Sequence, residues 1–262
     1  LEYRKVAKLC STYVDGLIKV ADSDGFVHTL FKQTGTATGR LSSAEPNLQN
    51  IPVRTELGRE LRKFFKASDG CVLVDADYSQ IELRVLADIA NDKEMIKAFI
   101  DNVDIHTVTA SQVFALPVSM VTSLHRSRAK AVNFGIVYGI GAHSLSEDIH
   151  VSYSEAKRFI DTYLAHYGAV AGYMDSLIEQ ARETGYAETM FGRRRPLPEL
   201  KVSNHATRSF GERVARNMPI QGTAADIIKL AMVNIDRKLK ENEVVKKNKV
   251  VATVYKGDID EE

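Results

Sequence analysis

The sequence of 262 residues contains no tryptophan and only two cysteines, Cys10 and Cys71, which lie far apart. Neither cysteine belongs to a CxxC motif and no HExxH motif is present, which argues against a zinc site and against a disulfide scaffold. No apolar run approaches the roughly 18 residues that a membrane-spanning helix needs. These absences are typical of a protein from a reducing, intracellular compartment.

The sequence also lacks an excess of charge of either sign, because 35 Lys and Arg nearly balance 34 Asp and Glu. Any contact with nucleic acid must therefore come from local basic patches rather than from a global field. Such patches occur at residues 59–66, 193–195 and 246–249. Each patch alone is weak support, because a run of charge is more often a solvated face than a binding site.

Hydrophobic residues make up 44% of the chain, which is enough for a sizeable core in one large domain or two small ones. Their periodicity predicts an α+β fold with far more helix than strand. The predicted helices cover residues 1–20, 79–90, 92–100, 105–115, 122–139, 153–166, 168–184 and 203–240, the last broken near Pro219. The predicted strands cover residues 26–33, 71–78 and 249–255, with a hairpin at 186–197 and a long irregular loop at 34–52.

The stretch VDADYSQIELR, residues 74–84, is the richest in candidate chemistry. In a buried strand that ends here, Asp75 and Asp77 share one face, and a carboxylate beside a helix start is a plausible Mg²⁺ ligand for phosphoryl transfer. A structural interpretation competes with this one. Ser79 and Glu82 stand at the spacing of a capping box, and aspartate at the end of a strand is common turn chemistry. The residues by themselves leave both interpretations open.

The stretch RSRAKAVNFGIVYG, residues 126–139, combines features that weaken a helix. Its cations stand in the early turns of a helix predicted to start at residue 122 or 123, where they oppose the helix dipole, and two glycines weaken the helix further. Four-residue spacing places one stripe along this helix, formed by Arg126, Lys130, Phe134 and Tyr138. Because the stripe runs from cationic to aromatic, it could hold a polyphosphate at one end and a flat base at the other.

Polar residues outside these two stretches supply further candidates. Arg40 and the amides of NLQN, residues 47–50, could contact DNA sugars, phosphates or minor-groove acceptors, although polar loop residues usually face water. His106 stands at a helix start, where an anion is favoured, although a lone histidine is more often structural. Asn217 and Gln221 lie four residues apart across a proline. The glycines at 34–40 are not followed by the GK[ST] ending of a P-loop, and no GxGxxG motif follows a strand. These absences argue against nucleotide binding through either motif.

Taken in order, these strings resemble the polymerase domain of family A DNA polymerases, the family of bacterial DNA polymerase I. The strings are TATGRLSSAEPNLQNIP, DYSQIELRVLA, DIHTVTAS, RSRAKAVNFGIVYG, FGRRRPLP and NMPIQGTAADIIKLAM. The resemblance implies a right-hand polymerase with an antiparallel palm sheet and a helical fingers subdomain. It assigns residues 1–90 to the end of the thumb and the first part of the palm, residues 91–200 to the fingers, and residues 201–262 to the return to the palm.

The resemblance also implies a function. It implies template-directed DNA synthesis in replication and repair, in which a primer 3′-hydroxyl attacks the α-phosphate of a dNTP. The implied cofactor is Mg²⁺, as two ions, and the implied partners are primer–template DNA and dNTP. The implied protein is a monomer with a cytoplasmic, nucleoid-associated location. The alternative is a non-catalytic remnant that binds primer–template or nucleotide.

Roles for individual residues follow from the same resemblance. Asp77 would bind the metal ions with the backbone carbonyl of Tyr78, and Asp77, Lys130 and Glu82 would be catalytic. Glu82 would exclude a 2′-hydroxyl together with Tyr138. The implied nucleotide-binding residues are Gln80, Glu82, His106, Arg126, Lys130, Phe134 and Tyr138. The implied DNA-binding residues are Arg40, Asn47, Gln49, Asn217 and Gln221.

The sequence departs from the family at the end of the predicted strand 249–255. Family members carry a second metal-binding carboxylate there in a His-Asp-Glu string, whereas this chain has Tyr255 and Lys256. A cation at this position would repel Mg²⁺, and Asp258 or Asp260 could replace the carboxylate only in a rebuilt turn. We therefore expect weak or no polymerase activity from the chain as it stands. Both ends of the sequence also predict that it is part of a longer polypeptide.

Overall fold

The computed structural model describes residues 2–52 and 56–241. Helices dominate this part of the chain, and two small antiparallel sheets accompany them. The chain divides into two compact units, residues 1–79 with 228–262 and residues 80–227. The predicted α+β class with a majority of helix is confirmed, whereas the predicted boundaries of thumb, palm and fingers stay a prediction.

The first unit opens with a helical segment that contains one wide turn. Its parts are α1 (Glu2–Leu9), a π-helical turn (Cys10–Val14) and α2 (Asp15–Val20). Strands β1 (Leu30–Lys32) and β2 (Ser42–Ala44) then pair antiparallel, and α3 (Glu56–Arg62) follows. The predicted helix at 1–20 is confirmed. The predicted strand at 26–33 shortens to β1, and the predicted loop at 34–52 contains β2.

The predicted buried strand at residues 71–78 is wrong. This segment has no regular secondary structure, and its apolar residues Val72, Leu73 and Val74 are exposed. A strand forms only where a neighbouring strand satisfies its backbone N–H and C=O groups, and in the part of the chain that the structure describes both sheets pair other segments. The predicted strand at 249–255 lies outside the described residues.

The second unit is built from helices and one hairpin. The helices are α4 (Ile81–Ile89), α5 (Lys93–Ile100), α6 (Ile105–Val113), α7 (Ser123–Val137), α8 (Ala142–Ile149), α9 (Tyr153–His166), α10 (Gly168–Thr184) and α11 (His205–Glu241), whose end belongs to the first unit. Two 3₁₀ helices lie at Val118–Met120 and Pro198–Lys201. Strands β3 (Tyr186–Glu188) and β4 (Arg194–Pro196) form the predicted hairpin. These predictions are confirmed within a few residues, but α3 and α8 were not predicted.

A continuous hydrophobic core runs through the second unit. Its largest fully buried side chains come from α4, α5, α6, α9 and the α9–α10 junction: Leu83, Met95, Ile105, Phe159, Tyr163 and Tyr167. A smaller cluster joins α10 to the hairpin and α11 through Ile178, Leu197 and Met218. The core packs α6 directly against α7, and this packing positions the candidate site.

The predicted break near Pro219 is wrong, because α11 continues through it. Proline removes the N–H that would bond to the carbonyl of Ala215. Ala215, Met218 and Ile220 are all fully buried, so tertiary packing holds this turn in place. Within the described ranges, no helix combines the length and the apolar character that crossing a bilayer requires.

The predicted capping box at the start of α4 is also wrong. The helix begins after Gln80, which adopts the left-handed conformation with φ of 55° and caps no backbone group with its side chain. Capping boxes instead open two other helices of this unit. Ser152 pairs with Glu155 at α9, and Thr122 pairs with His125 at α7.

Candidate active site

The cationic–aromatic stripe lies on the outward face of α7. The predicted start of this helix is confirmed, because the Thr122 side chain accepts a hydrogen bond from the backbone N–H of His125 at 3.3 Å. The opposite face of α7 contributes Val132 and Val137 to the core. The stripe residues are half-buried or exposed, in the order Arg126, Lys130, Phe134 and Tyr138. A ligand can therefore reach the stripe without opening the core.

The aromatic end of the stripe presents a flat surface. The rings of Phe134 and Tyr138 stack with their centroids 6.4 Å apart and an interplanar angle of 19°. The Lys130 Nζ lies 5.9 Å from the centroid of the Phe134 ring. A flat apolar surface with a cation at one edge suits a ligand that joins a ring to an anionic group.

The cationic end is held by Asp104, which sequence reasoning missed. Arg126 donates from Nε to Asp104 Oδ2 at 2.6 Å, and the same carboxylate caps α6 by accepting from the backbone N–H of His106 at 3.2 Å. Burial alone would raise the pKa of Asp104, but hydrogen bonds from Arg126 and Thr107 outweigh it and hold that pKa below its usual value. The ion pair offsets part of the dipole cost of a cation near the start of α7.

His106 is buried against the stripe. It is the second residue of α6, its side chain is almost inaccessible, and its ring centroid lies 5.8 Å from that of Phe134. The Asn133 side chain donates from Nδ2 to His106 Nδ1 at 2.8 Å, and the Thr109 hydroxyl donates to Asn133 Oδ1 at 3.1 Å. The helix packing of α6 on α7 therefore joins His106 to the stripe.

Glu82 and Tyr138 meet directly. The Tyr138 hydroxyl donates to Glu82 Oε2 at 2.9 Å, although the two residues lie 56 positions apart. Glu82 is a buried carboxylate in the first turn of α4, and Tyr138 is the half-exposed C-cap of α7. The structure thus brings together the pair predicted to act on the sugar, with Gln80 half-buried just before α4.

Two glycines, Gly135 and Gly139, lie at the C-terminal end of α7. A Cβ at Gly135 would lie 2.4 Å from the Cγ2 of Ile140, whose backbone N–H donates to the Gly135 carbonyl at 2.7 Å. Gly139 adopts a φ of +67°, which disfavours any residue with a Cβ. The glycines thus let the chain turn back tightly where the aromatic end of the stripe stands.

The predicted DNA-binding residues of the first unit flank β2, with Arg40 before the strand and Asn47 and Gln49 after it. The Gln49 Oε1 accepts from the backbone N–H of Ser43 at 3.0 Å, and the Asn47 Oδ1 accepts from the backbone N–H of Gln49 at 3.0 Å. The carbonyl of Arg40 accepts from the Thr36 hydroxyl at 2.8 Å. The side-chain amides of Asn47 and Gln49 therefore support the backbone around β2.

The other predicted DNA-binding residues, Asn217 and Gln221, lie one turn apart on α11 and are half-buried. The Asn217 Oδ1 atom is buried and makes no hydrogen bond within the described residues. A buried carbonyl oxygen in this state costs free energy unless a partner reaches it.

Asp77 and Tyr78 lie in the exposed segment 71–78 of the first unit. A carboxylate and a backbone carbonyl are hard oxygen ligands of the kind that Mg²⁺ prefers. In the ranges 2–52 and 56–241, however, no group of three or more His, Cys, Asp and Glu side chains is placed to hold a metal. Asp77 therefore fits Mg²⁺ by its chemistry but would supply only part of the two-ion site that the resemblance implies. Asp258 lies outside the described residues.

Two arginines of the basic patch at 193–195 pair with carboxylates of the same chain. Arg193 donates from Nε and Nη2 to Asp226 Oδ1 at 3.0 and 2.5 Å, and the Thr189 hydroxyl donates to Asp226 Oδ2 at 3.0 Å. Arg194 pairs with Glu188 across the hairpin. This patch anchors the hairpin to α11.

Sequence reasoning missed three residues that hold the candidate site and its surroundings: Asp104, Asn133 and Asp226. Only Asp104 carried a usable signal, because aspartate directly before a predicted helix is a favoured N-cap. Asn133 and Asp226 are polar residues inside helices, and their partners lie 27 and 33 positions away. Nothing in the local pattern identifies such partners.

Comparison with known proteins identifies the relatives of this chain. Residues 1–255 match the family model described as DNA polymerase family A. DNA polymerase I of Caldicellulosiruptor bescii is 50% identical over 97% of this chain, and that of Bacillus subtilis is 52% identical over 93%. The chain spans 30% and 28% of the lengths of these two relatives.

A solved structure gives the same result. The POL domain of Pol1 from M. smegmatis, in complex with DNA primer–template and dNTP, is 46% identical with a TM-score of 0.84. The match covers 91% of this chain and 42% of that chain.

Proposed function

Because this chain belongs to DNA polymerase family A, we propose that it carries out template-directed DNA synthesis, adding dNTPs to a primer 3′-hydroxyl in replication and repair. The observation that carries the proposal is the half-exposed stripe on α7, which joins cations to a flat aromatic surface. His106 and Glu82 contact this stripe from α6 and α4.

We propose that the dNTP lies along the stripe. Arg126, Lys130 and His106 bind the triphosphate, because cations and an imidazole N–H form charge-assisted hydrogen bonds with phosphate oxygens. Phe134 and Tyr138 pack against the sugar and base, and Gln80 lines the same pocket. The M. smegmatis domain, 46% identical to this chain, was solved with primer–template and dNTP, which supports this ligand.

Sugar selection is assigned to the bonded pair of Glu82 and Tyr138. Because the Tyr138 hydroxyl is fixed on a buried carboxylate, neither side chain can move aside easily. A bulky, rigid pair beneath C2′ leaves no room for a 2′-hydroxyl. This arrangement supports selection of deoxyribonucleotides by exclusion.

The proposed DNA contacts form two groups. Arg40, Asn47 and Gln49 flank β2 in the first unit, and Asn217 and Gln221 lie one turn apart on α11. Minor-groove acceptors are similar in A·T and G·C pairs, so amide and guanidinium groups can bind them without reading sequence.

The proposed cofactor is Mg²⁺, held by Asp77 and the carbonyl of Tyr78. Two such ions would neutralise charge on the attacking and leaving oxygens of the transfer. The departure at Tyr255 and Lys256 leaves the second carboxylate unassigned, with Asp258 as the candidate substitute. We therefore propose weak or no activity for residues 1–262 alone. This departure also favours the second candidate function, a non-catalytic binder of primer–template or nucleotide.

Primer extension tests the proposal most directly. The chain is incubated with primer–template, dNTPs and Mg²⁺, and binding of the same duplex is measured in parallel. Duplex binding with extension that is weak or undetectable is the expected result. Robust extension would overturn the proposed weakness and the non-catalytic alternative, and Asp258→Ala would then identify the substitute ligand. Failure to bind either duplex or dNTP would contradict the proposed function.

The nucleotide site is tested without catalysis. Lys130→Ala should weaken binding of a fluorescent dNTP by about 10- to 100-fold, the value of one charge-assisted hydrogen bond, with little change in duplex binding. Lys97→Ala is the matched control, because Lys97 is an exposed lysine paired with Asp101. Equal dNTP affinity in both variants would remove Lys130 from the site. The monomeric state and the nucleoid-associated location stay predictions.

A further inference from the structure

We propose that Asn133 is a positioning residue, which sets the tautomer of His106 so that the ring presents an Nε2–H donor to the triphosphate. The proposal rests on the proposed nucleotide site and deepens it. It assigns a role to a buried amide that the stripe itself does not include.

A series of hydrogen bonds between side chains joins α6 to α7. Asn133 Nδ2 lies 2.8 Å from His106 Nδ1, and Thr109 Oγ1 lies 3.1 Å from Asn133 Oδ1. All three residues are almost completely inaccessible to solvent. Buried hydrogen bonds of this kind are costly to break, because the separated groups find no water.

The direction of these hydrogen bonds determines which ring nitrogen of His106 carries the proton. The Asn133 amide nitrogen Nδ2 faces His106, and because an NH₂ group can only donate, Nδ1 accepts this hydrogen bond, while Asn133 Oδ1 accepts from the Thr109 hydroxyl on its other side. A ring nitrogen that accepts a hydrogen bond carries no proton, and a neutral imidazole then carries its proton on Nε2. His106 therefore presents a donor rather than a lone pair at its other edge.

This arrangement matters for an anionic ligand. An Nε2–H donates to a phosphate oxygen, whereas an Nε2 lone pair would repel it. Asn133 stands directly before Phe134, so the same turn of α7 that supplies the aromatic surface also orients the histidine. Asn133 acts through His106 and does not itself contact the nucleotide.

Nitrogen NMR of the imidazole rings tests the tautomer without any ligand. The chain has seven histidines, and the His106 signals are those lost in His106→Gln. The parent should show a neutral Nε2–H tautomer at pH 8. Asn133→Asp should reverse it, because a carboxylate accepts from Nδ1–H. The matched control, Asn234→Asp, changes an exposed asparagine of α11 and should leave the tautomer unchanged.

Thr109→Val provides a second variant that introduces no charge. It keeps the shape of the side chain and removes only the partner of Asn133 Oδ1, so the amide nitrogen should still face His106 and the Nε2–H tautomer should persist. Circular dichroism confirms that each variant is folded before its spectrum is interpreted. An unchanged Nε2–H tautomer in folded Asn133→Asp, or a reversed tautomer in folded Thr109→Val, would overturn the proposal.

Nucleotide binding completes the test. Asn133→Asp should weaken binding of a fluorescent dNTP about tenfold at pH 8, the value of roughly one hydrogen bond. In a His106→Gln background the same substitution should change affinity far less, whereas a purely structural or electrostatic role predicts the same loss in both backgrounds. Equal losses would overturn the positioning role. A reversed tautomer in a chain that never binds dNTP would instead contradict the proposed function.

Discussion

The two compact units bury their side chains in opposite ways. Residues 80–227 enclose a continuous apolar core, with large residues such as Leu83 and Phe159 at or near zero exposure. In the described part of the first unit, Ile51 is the only buried apolar residue, while Phe64 and Leu73 are largely exposed. Both units contain hydrophobic residues, but among the described residues only those of 80–227 pack around one another.

Order in the first unit comes instead from polar contacts. The Thr29 and Ser43 hydroxyls lie 2.6 Å apart, and Thr29 also donates to the carbonyl of Pro46 at 2.8 Å. Ser43 is one of the few buried residues of this unit. Apolar content alone therefore does not make a core, because a side chain is buried only when other residues of its unit pack around it.

The largest expected effect contrasts two phenylalanines. Phe159→Ala removes a ring packed edge-on against Phe114 in the core of the second unit, and should lower the free energy of unfolding by about 3–5 kcal/mol. Phe64→Ala removes a ring that is 77% exposed, and should stay within about 0.5 kcal/mol of the parent. Urea unfolding followed by circular dichroism measures both. Similar losses would contradict the contrast between the units.

The next contrast uses two aspartates of α11. Asp226→Ala leaves the Arg193 guanidinium without its buried partner and should cost about 3 kcal/mol. Asp236→Ala breaks an exposed pair with Lys240 in the first unit and should cost less than about 0.5 kcal/mol. The same unfolding assay applies. If Asp226→Ala costs no more than Asp236→Ala, the hairpin anchor does not stabilise the second unit.

A smaller effect appears only at high pH. Burial raises the pKa of Tyr167 from 10.0 to about 12. Because this pKa is higher in the folded chain than in the unfolded chain, the unfolded chain releases the proton first as the pH rises. The stability is therefore fully present below pH 10 and is lost as the pH rises through 12. Between pH 10 and pH 12 this tyrosine lowers the free energy of unfolding by about 2 kcal/mol.

Tyr167→Phe should therefore reduce the loss of stability between pH 10 and 12, measured as urea midpoints across that range. Tyr3→Phe, at an exposed position of the first unit, is the control and should follow the parent. An identical pH dependence for all three proteins would show that Tyr167 ionises as freely as an exposed tyrosine.

The smallest effect concerns a helix start. Ser152→Ala removes the capping box of α9 in the second unit and should cost about 1 kcal/mol. Ser176→Ala, at an exposed position inside α10, is the control and should cost nothing measurable. The helical turns of the first unit that begin after Leu9 and Val14 have no side-chain cap. Equal urea midpoints for Ser152→Ala and the parent would mean that packing, not capping, defines the start of α9.

Most helices of the second unit could be predicted from the sequence, because their signals are local. Helices α9 and α10 match their predicted bounds of 153–166 and 168–184. Ser152 caps the first, and Gly185 ends the second with a φ of +82°. The predictions at residues 71–78 and Pro219 failed because pairing or packing partners elsewhere in the chain decide those conformations. The prediction at Ser79 failed because Gln80 adopts the left-handed conformation, so the helix begins one residue later.

The candidate site divides in the same way. The sequence by itself determined the stripe, because residues four apart lie on one face of any helix, and it determined the family through its ordered strings. Only the tertiary structure decided that Arg126 pairs with Asp104, that Asn133 holds His106, and that Tyr138 bonds to Glu82. These partners lie 22, 27 and 56 positions apart. The periodicity of a helix indicates which face is buried, but the neighbour that this face meets depends on how the helices pack.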